Sequence, residues 1–305
     1  MPPRLQLAII AMNRFFLLVL LALSPIFPAY AQEEKQSEEN QGPPGPPASI
    51  GDSVFTGDWV TVGIGVGVSP SYEGSDDYSV FPAPLILGSV EGFDFGARGP
   101  GLYVDLVRDG NSDSDTKFVF GPQFRIRGNR VNDVDDPVVE LLEELDTAVE
   151  VGFTSGISFN KVLIPVDSLT FGLDATWDVA GAHKGRIISP SVAYSTPLSL
   201  AAFARLSVSA DHVDDNYADY YYSIDGADSA ASGLPTFTAT SGFKSVGTTL
   251  LLGYDLSGNA LDGGFSVFAI GIYSSLLGDA KRAPTTSIRG DADQWFVAGG
   301  VSFTF

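Results

Sequence analysis

The last twelve residues, Gln294 to Phe305, have the sequence Q-W-F-V-A-G-G-V-S-F-T-F. With period two, one face is apolar and is formed by Trp295, Val297, Gly299, Val301, Phe303 and Phe305. The other face is mostly small or polar: Phe296, Ala298, Gly300, Ser302 and Thr304. A tilted strand of this length crosses a bilayer. A soluble sheet rarely ends on such a strand because the edge would stay open, whereas in a closed membrane barrel the last strand pairs with the first. The ending therefore predicts a transmembrane β-barrel.

The same alternation recurs along the chain from residue 58. In the first segment, Val60, Val62, Ile64, Val66 and Val68 alternate with small residues that include Gly63, Gly65 and Gly67. No helix pattern follows these glycines, so they indicate the inner face of a narrow barrel rather than a phosphate-binding loop. Later segments fall at about 79–89, 92–98, 101–107, 117–128, 148–160, 167–180, 185–197, 199–211, 245–256 and 263–275.

The loops support an all-β, antiparallel outer-membrane barrel of about 12 strands with both termini in the periplasm. The long, acidic connections at 70–78, 129–147, 212–244 and 276–293 then share the extracellular side. The long 108–116 connection falls on the periplasmic side and keeps a 10-strand count as an alternative. We expect a charged interior, with these residues facing inward: Arg125, Arg127, Glu150, Asp174, Asp178 and Arg205. A soluble sandwich or barrel would show the same alternation.

Composition excludes several function classes. The 305 residues include no cysteine, so disulfides, thiol nucleophiles and thiolate metal sites are excluded. The formal net charge of -20 argues against nucleic acid as a partner, because phosphates would be repelled. No apolar run long enough for a transmembrane helix follows the first residues.

The N-terminal region predicts export. Arg14, an apolar run from Phe15 to Leu23 and the A-x-A motif at Ala29–Ala31 are typical of a secretory signal peptide, so we assign residues 1–31 to it. Met12 is an alternative start. Residues 32–57 are acidic and proline-rich and are expected to form a disordered periplasmic tail, which leaves 58–305 for the barrel. The predicted location is the cell outer membrane, in contact with lipid and lipopolysaccharide.

Several motifs resemble the MipA/OmpV family in sequence and order: residues 69–78 (S-P-S-Y-E-G-S-D-D-Y), 121–122, 145–152, 231–235, 243–247 and 276–280. The resemblance covers essentially all of 58–305 and implies an outer-membrane barrel. It implies a scaffold for the murein machinery, with a murein transglycosylase and a murein synthase as partners. A small-solute diffusion channel is the alternative, and a surface adhesin or a rim-located enzyme comes third. The family has no shared catalytic site, and we expect no enzyme activity, cofactor or metal.

The sequence offers few candidates for chemistry. The two histidines are His183 and His212, and strand parity turns Asp211 inward but His212 outward, which argues against a carboxylate–imidazole pair. Asp109, Asn111 and Asp113 have calcium-loop spacing, but Ser114 and Phe120 replace the required glycine and glutamate. A polar turn is therefore favoured.

Other loop features leave alternatives open. The carboxylates at Asp76–Asp77, Asp133–Asp136 and Asp214–Asp215 either bridge divalent cations to lipopolysaccharide or are simply solvated. Residues 137–145 have a short helical pattern that indicates a plug, a partner site or local packing. Tyr217 and Tyr220–Tyr222 are expected in an aromatic belt or a contact patch.

Overall fold

The structure is a computed structural model that describes residues 53–109, 114–131 and 134–305. The predicted signal peptide and residues 32–52 of the predicted tail lie outside these ranges. Residues 53–57 lie inside them: Val54–Thr56 form a 3-10 turn capped by Ser53, and Val54 N–H donates to Leu261 O at 2.8 Å. The end of the predicted tail is thus attached to the barrel.

Twelve antiparallel strands close into one barrel, each paired with its sequence neighbours and the last with the first. The 12-strand prediction is confirmed and the 10-strand alternative is wrong. The strands are β1 (Trp59–Pro70), β2 (Tyr78–Val90), β3 (Phe93–Ala97), β4 (Gly101–Asp105), β5 (Thr116–Arg127), β6 (Ala148–Asn160), β7 (Ser168–Asp178), β8 (Arg186–Pro197), β9 (Ala202–Val213), β10 (Gly242–Asp255), β11 (Gly264–Leu276) and β12 (Asp293–Thr304).

The final strand closes the barrel as predicted. The β1–β12 register runs from Thr61↔Thr304 to Val68↔Val297, and Phe305 N–H donates to Val60 O at 2.9 Å. The first strand's glycines face inward, opposite small residues of β12: Gly65 pairs with Gly300. A Cβ on Gly65 would lie 2.3 Å from a β12 carbonyl oxygen, so the close approach of the two strands requires glycine.

The outer surface is a continuous apolar band, which suits lipid contact. Ile64, Val66 and Val80 are 60 to 72% exposed, although a soluble protein would bury such residues. Among the described residues, no helix has the length and apolarity to cross a membrane.

The strand lengths are uneven around the barrel. β3 and β4 have only five residues each, so β2 pairs with β3 only from Leu87 to Val90. The rest of β2 pairs along one side with β1. Pro82 and Pro84 lie in this part, and proline, which lacks an N–H, is tolerated on a strand edge.

Four long connections lie at one end of the barrel, and both barrel termini lie at the other. The long connections are 71–77, 128–147, 214–241 and 277–292, between strands that alternate in direction. Their described residues include four α-helices: α1 (Asp215–Tyr222), α2 (Gly226–Ser232), α3 (Gly278–Arg282) and α4 (Pro284–Ser287). We call these four connections the cap.

One predicted boundary was wrong because of a β-bulge. The alternation suggested that β9 ends at 211 and β10 begins at 245, but the strands extend to Val213 and from Gly242. Lys244 is the extra residue: His212 pairs with Phe243 and Asp211 with Ser245. The bulge interrupts the period of two, which hides this segment from a pattern search.

Candidate functional site

The cap is packed like a small globular domain. Its first apolar cluster joins strand ends to α1 and α3 and consists of Leu145, Ile187, Val213, Tyr217, Ala218, Tyr221, Tyr222, Ala239, Leu276, Ala280 and Ala283. The second cluster joins Tyr72, Val139, Leu142, Ile224 and Leu234. Because each cluster draws on separate connections, the loops hold one another over the barrel mouth.

Helix α1 places the tyrosines at the centre of the cap. Asp214 is its N-cap, and its carboxylate accepts from Tyr217 N–H at 3.1 Å. Tyr217, Tyr221 and Tyr222 are at most 2% exposed. The interpretation of these residues as a belt or contact patch was wrong, since they form core. The sequence contains a helix signal that we missed, because Asp214 is a good N-cap residue before D-N-Y-A-D.

Beneath Tyr217 lies a charge network anchored on the inner wall of the barrel. Arg127 Nε lies 2.5 Å from Glu150 Oε1, and His183 Nε2 lies 3.4 Å from the same oxygen. The Glu150 and His183 side chains have no exposed surface. The Arg127 guanidinium lies 5.5 Å from the centre of the Tyr217 ring, which adds a cation–π contact. Strand, turn and cap residues thus meet in one buried cluster.

A second ion pair joins the first loop to β10. Lys244 Nζ binds Glu73 Oε1 and lies 3.7 Å from Asp211 Oδ2. Ser189 Oγ donates to Asp211 Oδ1 at 2.6 Å. Lys244 is 5% exposed, and Tyr217 Oη lies 3.4 Å from Glu73 Oε2. The bulge therefore turns Lys244 inward, where it fixes loop 71–77 beside α1.

A third ion pair closes the cap on its far side. Arg289 binds Asp136 through Nε and NH2, at 3.1 and 2.6 Å from Oδ2. Burial would raise the pKa of Asp136, but Arg289 and the N–H groups of Val138 and Val139 outweigh it and hold that pKa below its ordinary value. The hydrogen bond to Asp136 raises the pKa of the Arg289 guanidinium in turn.

Glycine makes the closest contact between loops 71–77 and 277–292. Gly74 has φ +101°, and a Cβ there would lie 2.3 Å from Thr286 Oγ1. Gly290 approaches so closely that a Cβ would lie 1.8 Å from Gly74 O. Asp291 N–H donates to the same oxygen at 2.9 Å.

Deeper in the barrel, a side chain from the short hairpin crosses the interior. Arg98, in the β3–β4 turn, reaches Asp174 on β7 at 2.9 Å. Thr154 Oγ1 on β6 donates to the same carboxylate at 2.7 Å, and the Tyr103 ring lies 5.0 Å from the Arg98 guanidinium carbon. The polar side of the interior is therefore filled by its own side chains, in agreement with the low exposure of Gln123, Thr154 and Asp174.

The predicted charged interior is correct for one side of the barrel only. The register places Arg125, Glu150, Asp178 and Arg205 on the inner faces of β5–β9. On β10, β11, β12 and β2, several inward positions instead carry apolar side chains, such as Leu251, Ile270, Ile272, Phe296 and Phe81, and β1 between them contributes glycines. The expectation that the whole interior would be polar was wrong, because alternation identifies which residues face inward but not what surrounds them.

The remaining sequence candidates do not assemble into a reactive site. His212 packs edge-on against Phe243 at 5.1 Å, outside the barrel, while Asp211 points inward as parity predicted. Asn111 and Asp113 lie outside the described residues, and Asp109 accepts from Phe118 N–H at 2.7 Å. Within the described residues, no group of three or more histidines and carboxylates could hold a metal ion.

The acidic loop residues each bind a different partner within the cap. Asp136 binds Arg289, Asp214 caps α1, and Asp215 accepts from Ser241 N–H at 2.6 Å. Asp133 lies outside the described residues. Residues 137–145 pack against the other loops of the cap: Val139–Leu141 form a 3-10 turn, and Val139 and Leu142 join Tyr72 in the second cluster. The cap therefore closes the mouth of the barrel through ion pairs and apolar packing.

Comparison with known proteins adds a family and several similar solved structures. The family model described as MltA-interacting protein MipA matches residues 62–305. Among curated proteins, none matches this sequence significantly. A solved structure, the COG4313 outer membrane channel from Pseudomonas putida F1, is similar at 13% identity and TM-score 0.43, over 82% of this chain and 96% of that chain. OmpT of Vibrio cholerae is similar at 8% identity and TM-score 0.31, over 81% and 97%. Pseudomonas aeruginosa OccK7 (OpdD) is similar at 8% identity and TM-score 0.29, over 81% and 98%.

Proposed function

Because the chain belongs to the MltA-interacting protein (MipA) family, we propose that this outer-membrane β-barrel is a scaffold for the murein machinery. It would hold a murein transglycosylase and a murein synthase at the periplasmic face of the outer membrane. The end of the barrel that carries both termini would face the periplasm, and the proposed binding surface is this end together with the tail 32–57.

The closed cap is the observation that carries the proposal. A diffusion channel needs a path through its mouth, whereas Tyr217, Glu150 and His183 are buried where that path would run. A scaffold requires no path and gains from a rigid barrel. The cap is held by ion pairs that cost free energy to break when they are buried.

A binding experiment tests the scaffold. The purified mature protein is immobilised, and a purified murein transglycosylase and murein synthase are passed over it. We expect both enzymes to be retained. A variant that lacks residues 33–52 is the matched control, since the described part of the barrel is left intact. Failure of the full-length protein to retain either enzyme would contradict the proposal, and equal retention by the variant would place binding on the barrel end.

A small-solute channel is the second candidate, because the apolar inner wall is half exposed and the barrel is therefore not completely filled. Conductance in planar bilayers distinguishes the two. We expect the unmodified protein to show no conductance. The double variant Glu73→Gln with Lys244→Gln should show channel openings more often, because loop 71–77 loses its ion pair with β10. Steady conductance by the unmodified protein, without retention of murein enzymes, would favour the channel.

Export through a cleaved signal peptide is part of the proposal. Cleavage after Ala31 would leave Gln32 as the first residue of the protein in the outer membrane. N-terminal sequencing of the protein from isolated outer membranes checks this, and an N-terminus upstream of Arg14 would contradict it.

A further inference from the structure

The barrel interior has two walls of opposite chemistry. The inner face of β5–β9 carries the ion pairs described above. The inner face of β10–β12, β1 and β2 carries an apolar surface that we call the strip, formed by Phe81, Leu85, Leu251, Ile270, Ile272 and Phe296. The inside of an outer-membrane barrel is ordinarily polar because it meets water, so an apolar wall there requires a reason.

The strip is open to the interior. All six of its side chains are half-buried, whereas Gln123, Glu150 and Asp174 on the opposite wall are buried by their own partners. Phe81 lies flat against the wall: a Cβ on its register partner Gly67 would lie 2.3 Å from the ring. The ring therefore lines the space rather than filling it.

The strip runs across the strands. Leu251, Ile270, Ala298, Gly67 and Phe81 are successive register partners from β10 to β2, so they form one line along the inner wall. β1 contributes only Gly67 to this line, and the Phe81 ring covers that glycine. Four steps between neighbouring strands, at ~4.8 Å each, make the line about 19 Å long.

A cation lies at one end of the strip. Arg205 on β9 faces inward, and its register partner on β10 is Leu251, a strip residue. Its NH1 donates to Ser195 Oγ at 3.0 Å, its side chain is exposed, and no carboxylate within the described residues forms an ion pair with it. A guanidinium that has no carboxylate partner offers two parallel N–H donors to an anion.

We propose that the interior holds a single-chain amphiphile with an anionic head, namely a long-chain fatty acid. Its acyl chain lies along the strip and removes apolar surface from water, which stabilises the complex by about 25 cal/mol per Å². Its carboxylate pairs with Arg205. The strip is about 19 Å long and ends beside Arg205, which suits one extended chain with its head at Arg205, and the cap above it retains the chain inside the barrel.

The test is a titration of the whole protein, transferred from detergent to an amphipathic polymer, with cis-parinaric acid, a fluorescent fatty acid. We expect saturable binding of one molecule. The double variant Leu85→Gln with Ile272→Gln makes the strip polar and should lose binding. Thr170→Gln is the matched control, because Thr170 faces inward on the opposite wall, and it should bind as the unmodified protein does.

Arg205→Gln tests the head-group contact. We expect about tenfold weaker binding of the acid, which corresponds to ~1.4 kcal/mol. The alcohol of the same chain length should bind the unmodified protein and Arg205→Gln equally. Resistance of the folded barrel to unfolding in cold SDS shows that each variant is folded. Absence of saturable binding, or unchanged binding by Leu85→Gln with Ile272→Gln, would overturn the proposal; equal loss for acid and alcohol in Arg205→Gln would overturn the role of Arg205.

Discussion

Glu150 connects the barrel wall to the cap. Its carboxylate is sealed from solvent and lies 2.5 Å from Arg127 Nε and 3.4 Å from His183 Nε2. Glu150→Gln leaves Arg127 buried without its counter-charge, and removal of one partner from a buried pair costs about 3–5 kcal/mol. We expect the free energy of unfolding to fall by that order in urea titrations of the protein in lipid vesicles.

A surface carboxylate in the same cap provides the comparison for Glu150. Glu140→Gln alters an exposed side chain and should change the free energy of unfolding by no more than about 0.5 kcal/mol. Equal effects of the two substitutions would show that the buried pair contributes nothing to stability.

Asp136 makes the cap sensitive to acid. In the folded protein, its pKa is held below the ordinary carboxyl value. The ionised side chain therefore contributes its full stabilisation of the cap above the unfolded pKa, near 3.9. The contribution is lost as the pH falls through the lower, folded pKa. We expect cleavage of loop 128–147 by pepsin to accelerate below about pH 4.

Asp136→Asn separates this ion pair from general acid effects. The amide cannot titrate, so the variant should be cleaved more readily at neutral pH by an added protease and should lose most of the acceleration in acid. Asp279, whose pKa Arg282 also lowers, retains its own acid response in this variant. A pH profile identical to that of the unmodified protein would contradict the role of Asp136.

At the scale of an element, loop 71–77 depends on Gly74. Its φ of +101° and the 2.3 Å approach of an added Cβ to Thr286 Oγ1 both oppose any other residue. We expect Gly74→Ala to loosen the cap and to increase hydrogen exchange at Tyr72 and in α4. Gly99→Ala is the matched control: Gly99 also has positive φ, at +58°, but nothing lies within 4 Å of an added Cβ. Equal exchange in both variants would mean that backbone strain, and not the contact, is decisive.

The exposed aromatic residue after the final strand indicates a role in insertion of the barrel into the outer membrane. Phe305 is 66% exposed at the end of β12 and packs against Phe303 with ring centres 4.7 Å apart. We expect deletion of Phe305 to reduce insertion into the outer membrane while export across the inner membrane continues, because barrel assembly machinery would bind this exposed end. Protein levels in separated periplasm and outer-membrane fractions check it, and normal outer-membrane levels would contradict it.

The strands could be predicted from the sequence because lipid imposes its own pattern. Most outward positions are apolar because they face lipid, so residues such as Ile64 and Val66 recur with period two even when the inward positions vary. The cap could not be predicted in the same way. The Lys244–Glu73 pair joins residues 171 positions apart, and it forms only because the closed barrel brings loop 71–77 beside β10. Helix α1 was predictable from its local N-cap, but its burial was not.

At the scale of the whole molecule, closure rests on the pairing of β1 with β12, and a disulfide can test it because the chain contains no cysteine. Val66 and Gly299 are register partners, so the variant Val66→Cys with Gly299→Cys places the two Cβ atoms about 4.5–5.5 Å apart, close enough for a disulfide to form after a small backbone adjustment. We expect rapid cross-linking on oxidation, detected after denaturation as a shift in electrophoretic mobility. Val66→Cys with Val301→Cys is the control, because diagonal partners lie about 7–8 Å apart. Cross-linking of the diagonal pair alone would mean that the register is shifted by two, and cross-linking of neither would mean that the barrel does not close between these strands.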